Sequence, residues 1–221
     1  MSNSQEIAKN FIESQFSQEM MISIRENEIE KIKKYVVETK AWSDATISLN
    51  YQNKVIDNKD QICKLLLTRF ADLPNENSFI LWHKNTLGQL KDLGMNLGMG
   101  QKIINMAAKY FYFLEIGFEL KLFEYSLDDY KDSFDIPLDS YILKWFIYNS
   151  QFDDDFSTYG NEFSAWSKLT SDDVYYEFLQ PKIKELMNKR EASDLPLLCS
   201  ETLVWENIKK LKNYIAWDFT N

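Results

Sequence analysis

Leu97-Gly98-Met99-Gly100-Gln101-Lys102-Ile103-Ile104-Asn105 is the stretch on which the reading of this chain turns. Four of the six glycines fall between Gly88 and Gly100. Glycine is needed where φ must be positive or where another group must approach the main chain closely. Immediately afterwards Ile103, Met106, Ala107, Tyr110, Phe111 and Leu114 recur at helical spacing, which predicts an amphipathic helix over Gln101–Glu115 closed by Gly117. The glycines are therefore expected at a helix N-terminus, with Lys102 in its first turn. Unpaired N–H groups and the positive dipole end make such a terminus a seat for phosphate. On the other side Leu87, Leu90 and Leu93 predict a helix over Thr86–Leu93. Gly94–Gly100 then reads as a hairpin joining two helices. Such a hairpin can hold backbone phosphates without reading bases; the plainer alternative is a structural helix–helix turn.

The same periodicity runs through most of the chain. Helices are predicted over Ile7–Ile24, Glu28–Thr39, Lys59–Phe70, Phe79–Leu93 with a break near Lys84, Ser140–Tyr148, Thr170–Arg190 and Glu201–Tyr214. Pro181 should kink or split its helix. Ala45–Val55 is ambiguous, since Ile47, Leu49 and Tyr51 alternate as in a short strand. Asp72-Leu73-Pro74-Asn75 is a break, Glu119–Phe134 a mixed connector and Asn149–Gly160 an acidic loop. Asp153-Asp154-Asp155 lacks the spacing of a calcium loop and reads as a solvated turn. Only 6 Gly and 4 Pro in 221 residues leave few tight turns, which favours an all-α fold.

Hydrophobic residues at 45% fill a core easily, and aromatics at 15% suit a core or a stacking surface. The net charge of −9 counts against a protein that coats nucleic acid over its whole surface. Between Ile80 and Tyr112, however, Lys84, Lys91, Lys102 and Lys109 face Asp92 alone. That confines any phosphate affinity to one face, unless the clustering is chance. Cys63 and Cys199 stand far apart, so a zinc ribbon, an iron–sulfur cluster and a disulfide framework are unsupported, and no metal or cofactor is expected. Met1–Asn10 is polar and no apolar run reaches membrane-spanning length. The expectation is a soluble, cytoplasmic protein, nucleoid-associated in a prokaryote. His83, the only histidine, reads as half-buried packing between Trp82 and Lys84, and most of the six tryptophans read as core.

Leu97–Asn105 resembles the hairpin of the helix–hairpin–helix DNA glycosylase superfamily, whose motif ends in Gly-hydrophobic-Gly-x-Lys. In strand-cleaving members the Lys of that motif, matched by Lys102, is the nucleophile. Phe134-Asp135-Ile136-Pro137-Leu138-Asp139-Ser140-Tyr141 resembles the second signature, an approach to a helix-opening Asp, and Asp139 takes the place of the catalytic Asp. The 37 positions between Lys102 and Asp139 are more than most members have. The archaeal 8-oxoguanine DNA glycosylases have a longer connector like this one, and their C-terminal stretch resembles Leu195-Pro196-Leu197 through Trp205. Three short patches between about Leu87 and Trp205 carry the likeness. It implies a two-lobed helical fold with a cleft, one lobe of residues 1–44 with 135–221 and one of 45–134 with the hairpin at 86–115. It also implies excision of an oxidised purine, 8-oxoguanine above all, from double-stranded DNA, with AP-lyase activity and no cofactor. The implied site is Lys102 and Asp139 as catalysts, Gly98, Gly100 and Gln101 on phosphate, and Met106 and Trp205 around the base. Met106 stands where the archaeal enzymes carry an aromatic. A monomer with no membrane partner is expected.

An amine that attacks C1′ must be neutral, which a lysine achieves by desolvation or nearby positive potential. A carboxylate at Asp139 would accept the amine's proton and stabilise positive charge growing on the sugar. The base would first be flipped out of the duplex. The bland readings are a solvated surface lysine and a plain helix cap at Asp139. Two further functions fit the same residues: a non-catalytic hairpin that binds DNA, or a helical protein-interaction domain.

Overall fold

The structure, a computed structural model, describes residues 2–46, 53–75, 78–149, 171–190 and 195–214. Among them every regular element is helical and there is no strand, so the class is all-α. The strand-like alternation at Ile47, Leu49 and Tyr51 and the acidic triplet at Asp153 lie outside the described residues. No helix among the described residues is long and apolar enough to cross a membrane.

Local capping chemistry explains where the N-terminal helices begin. Ser2 and Gln5 form a capping box at the start of α1, Asn3–Gln15. The single helix expected over Ile7–Ile24 is instead two. Phe16 turns extended, and the Ser17 hydroxyl accepts the Met20 N–H at 3.3 Å, which opens α2, Gln18–Arg25. Then α3, Ile29–Tyr35, runs through a π turn at Val36–Ala41 into α4, Trp42–Thr46. After α5, Asn53–Asp57, and α6, Lys59–Ala71, the break at Asp72 holds a 3₁₀ turn at Leu73–Asn75. Helix α7, Phe79–Asp92, is continuous through Lys84, since nothing there removes a backbone donor.

The hairpin is shorter than the sequence suggests. Gly94 has φ 97°, and its N–H bonds Lys91 O at 2.9 Å while the Met95 N–H bonds Leu90 O at 3.0 Å. This is a Schellman ending, with buried Leu90 and Met95 supplying its apolar contact. Two residues later the Asn96 carboxamide oxygen accepts the Met99 N–H at 2.9 Å and opens α8, Leu97–Phe118. Gly98 and Gly100 therefore lie in the first turn of α8, and Lys102 in the second.

Helix α8 is the axis of the molecule. Every residue from Leu97 to Leu114 is buried, beneath α1, the π turn, α4 and α7. It is apolar nearly all round, as a central helix must be. It also runs one residue past Gly117, and Glu119 at φ 57° makes the left-handed cap. Gly117 serves the crossing with α1, since a Cβ there would lie 2.9 Å from the Lys9 backbone nitrogen.

Beyond α8 come a 3₁₀ turn, Leu127–Tyr130, a segment without regular structure at residues 134–139, and α9, Ser140–Asn149. A π turn, Val174–Leu179, precedes α10, Gln180–Arg190. Its change of register lies just before Pro181, whose ring and missing N–H forbid the normal bond to the preceding turn. The last helix is α11, Leu197–Tyr214. The buried apolar side chains form one connected cluster from Ala8 to Val204.

Candidate functional site

Four polar or charged residues on α8 are buried: Gln101, Lys102, Asn105 and Lys109. Burying such groups is costly unless each finds a partner, and each does. Lys102, Met106, Lys109 and Tyr110 stand at i, i+4, i+7 and i+8, which puts them on one side of the helix. That side forms a wall of a pocket of about 320 Å³, completed by Asp139 and Tyr141 of the α9 entrance and Glu201 and Trp205 of α11. Phe11 and Gln15 of α1 and Asp44 of α4 close the remainder.

Lys102 is 5% exposed, and its Nζ donates to Asp139 Oδ2 at 3.2 Å. The other oxygen of Asp139 accepts the N–H groups of Tyr141 and Ile142, each at 2.9 Å. One carboxylate thus caps α9 and holds an ammonium, at the helix end where the dipole favours negative charge. The cap fixes the carboxylate's rotamer and aims its second oxygen into the pocket. A short distance away Lys109 pairs with Glu201, both almost wholly buried. Burial pushes the Glu201 carboxyl above its ordinary value despite Lys109 beside it. The Lys109 ammonium also lies 4.4 Å from the Phe11 ring centre. The Tyr110 hydroxyl donates to Asp44 at 2.8 Å. Burial, then Asp44, hold Tyr110 well above its ordinary value, so it remains a donor.

Behind this pocket lies a second polar network. His83 is fully buried rather than half-buried. Its Nε2 donates to Asn105 Oδ1 at 3.0 Å, which leaves Nδ1 to accept from the Tyr176 hydroxyl at 2.6 Å. Burial keeps its pKa below the ordinary value. Asn105 donates to the Tyr175 hydroxyl at 2.8 Å, and Tyr175 donates to Asp135, which Lys184 also grips at 2.9 Å.

Four of the seven residues singled out in the sequence meet in the pocket: Lys102, Asp139, Met106 and Trp205. Trp205 packs edge-on against Tyr141 with ring centres 6.5 Å apart, and Lys209 lies over its ring. The three residues assigned to phosphate do not join them. Gly98, Gly100 and Gln101 are buried, and this corrects their role. The Gly100 N–H bonds Asn96 O at 2.9 Å, and a Cβ on Gly100 would meet Leu87 Cδ1 at 2.4 Å. The glycine's task is to let α7 approach. Gln101 turns its carboxamide onto the backbone of Leu138. The expected basic face is corrected for the same reason. Lys102 and Lys109 point inward onto acids of other helices, and Lys91 pairs with Asp172.

Lys109, Tyr110, Glu201 and Asp44 line the pocket without belonging to either sequence motif. Helical spacing from Lys102 points to the first two, and Glu201 stands one turn before Trp205. Asp44 reaches Tyr110 from 66 positions away, for which local sequence holds no signal. Among the described residues no group of three or more His, Cys, Asp or Glu is arranged to hold a metal ion. No family model, no curated protein and no solved structure matches the chain.

Proposed function

We propose that the protein is a DNA repair glycosylase with AP-lyase activity that removes an oxidised purine, 8-oxoguanine first, through a Schiff base on Lys102. One observation carries the reading: a buried ammonium 3.2 Å from a helix-capping carboxylate, both in the wall of one pocket lined by a Trp and a Met. About 320 Å³ lies within the range of small-molecule pockets. An extruded base would lie between the faces of Met106 and Trp205. Met is polarisable and adapts to an aromatic face, with less rigidity than a second ring. Lys109 and Glu201 offer the base a donor and an acceptor.

Entry of the base expels water from the pair. Asp139 accepts the proton of Lys102, the freed amine attacks C1′ as the C1′–N bond breaks, and Asp139 passes that proton to the departing base. With its proton given up, the Asp139 carboxylate faces the positive charge left on the sugar and its new amine. Opening of the sugar ring, with a proton to O4′, leaves an imine between C1′ and Nζ. Loss of a C2′ proton then expels the 3′ phosphate, and water releases the unsaturated aldehyde from Lys102.

Borohydride reduces such an imine and traps the complex. A duplex carrying 8-oxoguanine or an apurinic site should give a covalent adduct with wild type and none with Lys102→Gln. Asp139→Asn keeps a capping side chain and should fold normally, while excision falls about 10²- to 10⁴-fold. Unchanged turnover in Asp139→Asn removes Asp139 from the mechanism. A second reading has one observation in its favour: both lysines are already paired with acids. On it the two pairs hold the helices together in a non-catalytic domain. Duplex binding without any adduct selects a DNA-binding module, and no binding even at low salt, where phosphate contacts are strongest, selects a protein-interaction domain.

A further inference from the structure

The segment at residues 134–139 poses a satisfaction problem. Residues 134–138 are buried and belong to no helix or sheet, so the peptide groups have no ladder to join, and buried backbone groups are nearly always paired. Two glutamines supply what a neighbouring strand would. Gln180 accepts the Ile136 N–H at 2.9 Å and donates to Ile136 O at 2.8 Å. Gln101 accepts the Leu138 N–H at 3.3 Å and donates to Leu138 O at 3.1 Å. Pro137, between them, has no N–H to satisfy. Each carboxamide copies the paired bonds of two antiparallel strands, one from α10 and one from α8.

The register matters. Gln101 holds Leu138, and the next residue, Lys102, meets the next residue, Asp139. Adjacent positions on α8 therefore engage adjacent positions on the strap, both 37 apart in sequence. Gln101 is itself fixed, since it donates to Gly98 O at 3.0 Å and accepts from Asn105 at 3.2 Å. A slip of the strap by one residue would turn Asp139 away from Lys102. We infer that Gln101 is a positioning residue: its carboxamide sets the register of the 134–139 strap against α8 and thereby brings the Asp139 carboxylate to Lys102. Gln180 steadies the same strap two residues earlier, at Ile136. The inference rests on the reading of Lys102 and Asp139 as the reacting pair.

Gln101→Met keeps length and burial and removes both bonds of Gln101 to the strap. Gln101→Glu keeps the acceptor for Leu138 N–H and loses the donors, and serves if Gln101→Met fails to fold. Single-turnover excision at saturating enzyme should fall about 10- to 100-fold in either variant, the usual cost of roughly 1 Å of misplacement. Affinity for the lesion duplex should stay within about two-fold of wild type, because Gln101 lies behind the pocket wall. A crystal structure of the variant should show the Lys102–Asp139 contact lengthened beyond hydrogen-bond reach. Equal rates, or rate and affinity falling together, with the 3.2 Å contact intact, overturn the assignment. If wild type itself yields neither adduct nor excision, the catalytic reading has failed, and the crystal structure alone decides the strap: a lengthened contact supports the positioning role and an unchanged one refutes it.

Discussion

Lys109 and Glu201 form an ion pair with almost no exposure to water, and such pairs punish the loss of one partner more than the loss of both. Lys109→Met should destabilise the protein by about 3–5 kcal/mol, because an unpaired carboxylate remains in the interior. The double variant Lys109→Met with Glu201→Leu should recover most of that. Urea unfolding of the three proteins measures it, and simple additivity contradicts it. His83 offers a second check. Its folded pKa is lowered from 6.5 mainly by burial. Asp135 opposes that shift and Lys184 supports it, while Tyr175, Tyr176 and Asn105 surround the ring. The unfolded chain takes up a proton below about pH 6.5 that the folded one refuses. Stability contributed by neutral His83 is thus complete above that pH and lost as pH falls toward the folded value, by up to about 1.4 kcal/mol per pH unit. His83→Gln should be less stable at pH 7.5 but lack this slope between pH 7 and 5.5. Lys102 and Asp139 were legible because each sits in a recognisable patch. The partner of Gln101 was not, because a carboxamide that reads a backbone leaves no mark at the distant position it reads.

Helix boundaries followed from apolar spacing in α6 and α9, whereas α11 begins four residues before the expected Glu201, at Leu197. They failed at Ser17, where a single hydroxyl restarts the helix, and at the glycines. Gly98 and Gly100 drew attention as a flexible turn, yet only Gly94 holds a positive φ in that hairpin. Gly100 is helical and is small for the sake of Leu87. From sequence alone, a glycine that permits close packing is identical to one that permits a turn. The two differ in mutation. Gly100→Ala should destabilise by about 1–3 kcal/mol through overpacking, although alanine is the better helix former. Leu87→Ala alone should cost about 2–5 kcal/mol. Combined, the new methyl fills part of the space that Leu87 leaves, so the double variant should be more stable than the sum of the singles predicts. Strict additivity in thermal unfolding would place the two side chains out of contact.

The all-α class was readable in the scarcity of glycine and proline and the dominance of 3.6-residue spacing. How the helices close a pocket was not, because α1, α4, α9 and α11 reach α8 from across the sequence. That convergence makes a site: one buried helix carries the two lysines, and other elements bring the carboxylates. In a chain of net charge −9, two of the four lysines in the locally basic stretch serve this interior. On the proposed reading, association with DNA should therefore be modest and fall only gently with salt, since few phosphates are neutralised, and selectivity should lie in which base the pocket accepts. The most direct test locates the covalent bond. Wild-type protein is incubated with a duplex carrying 8-oxoguanine, and in parallel with an apurinic duplex, reduced with borohydride, digested and sequenced by mass spectrometry. The reduced sugar remnant is predicted on Lys102 and on no other lysine; an adduct on a different residue, or none on either duplex, contradicts the account.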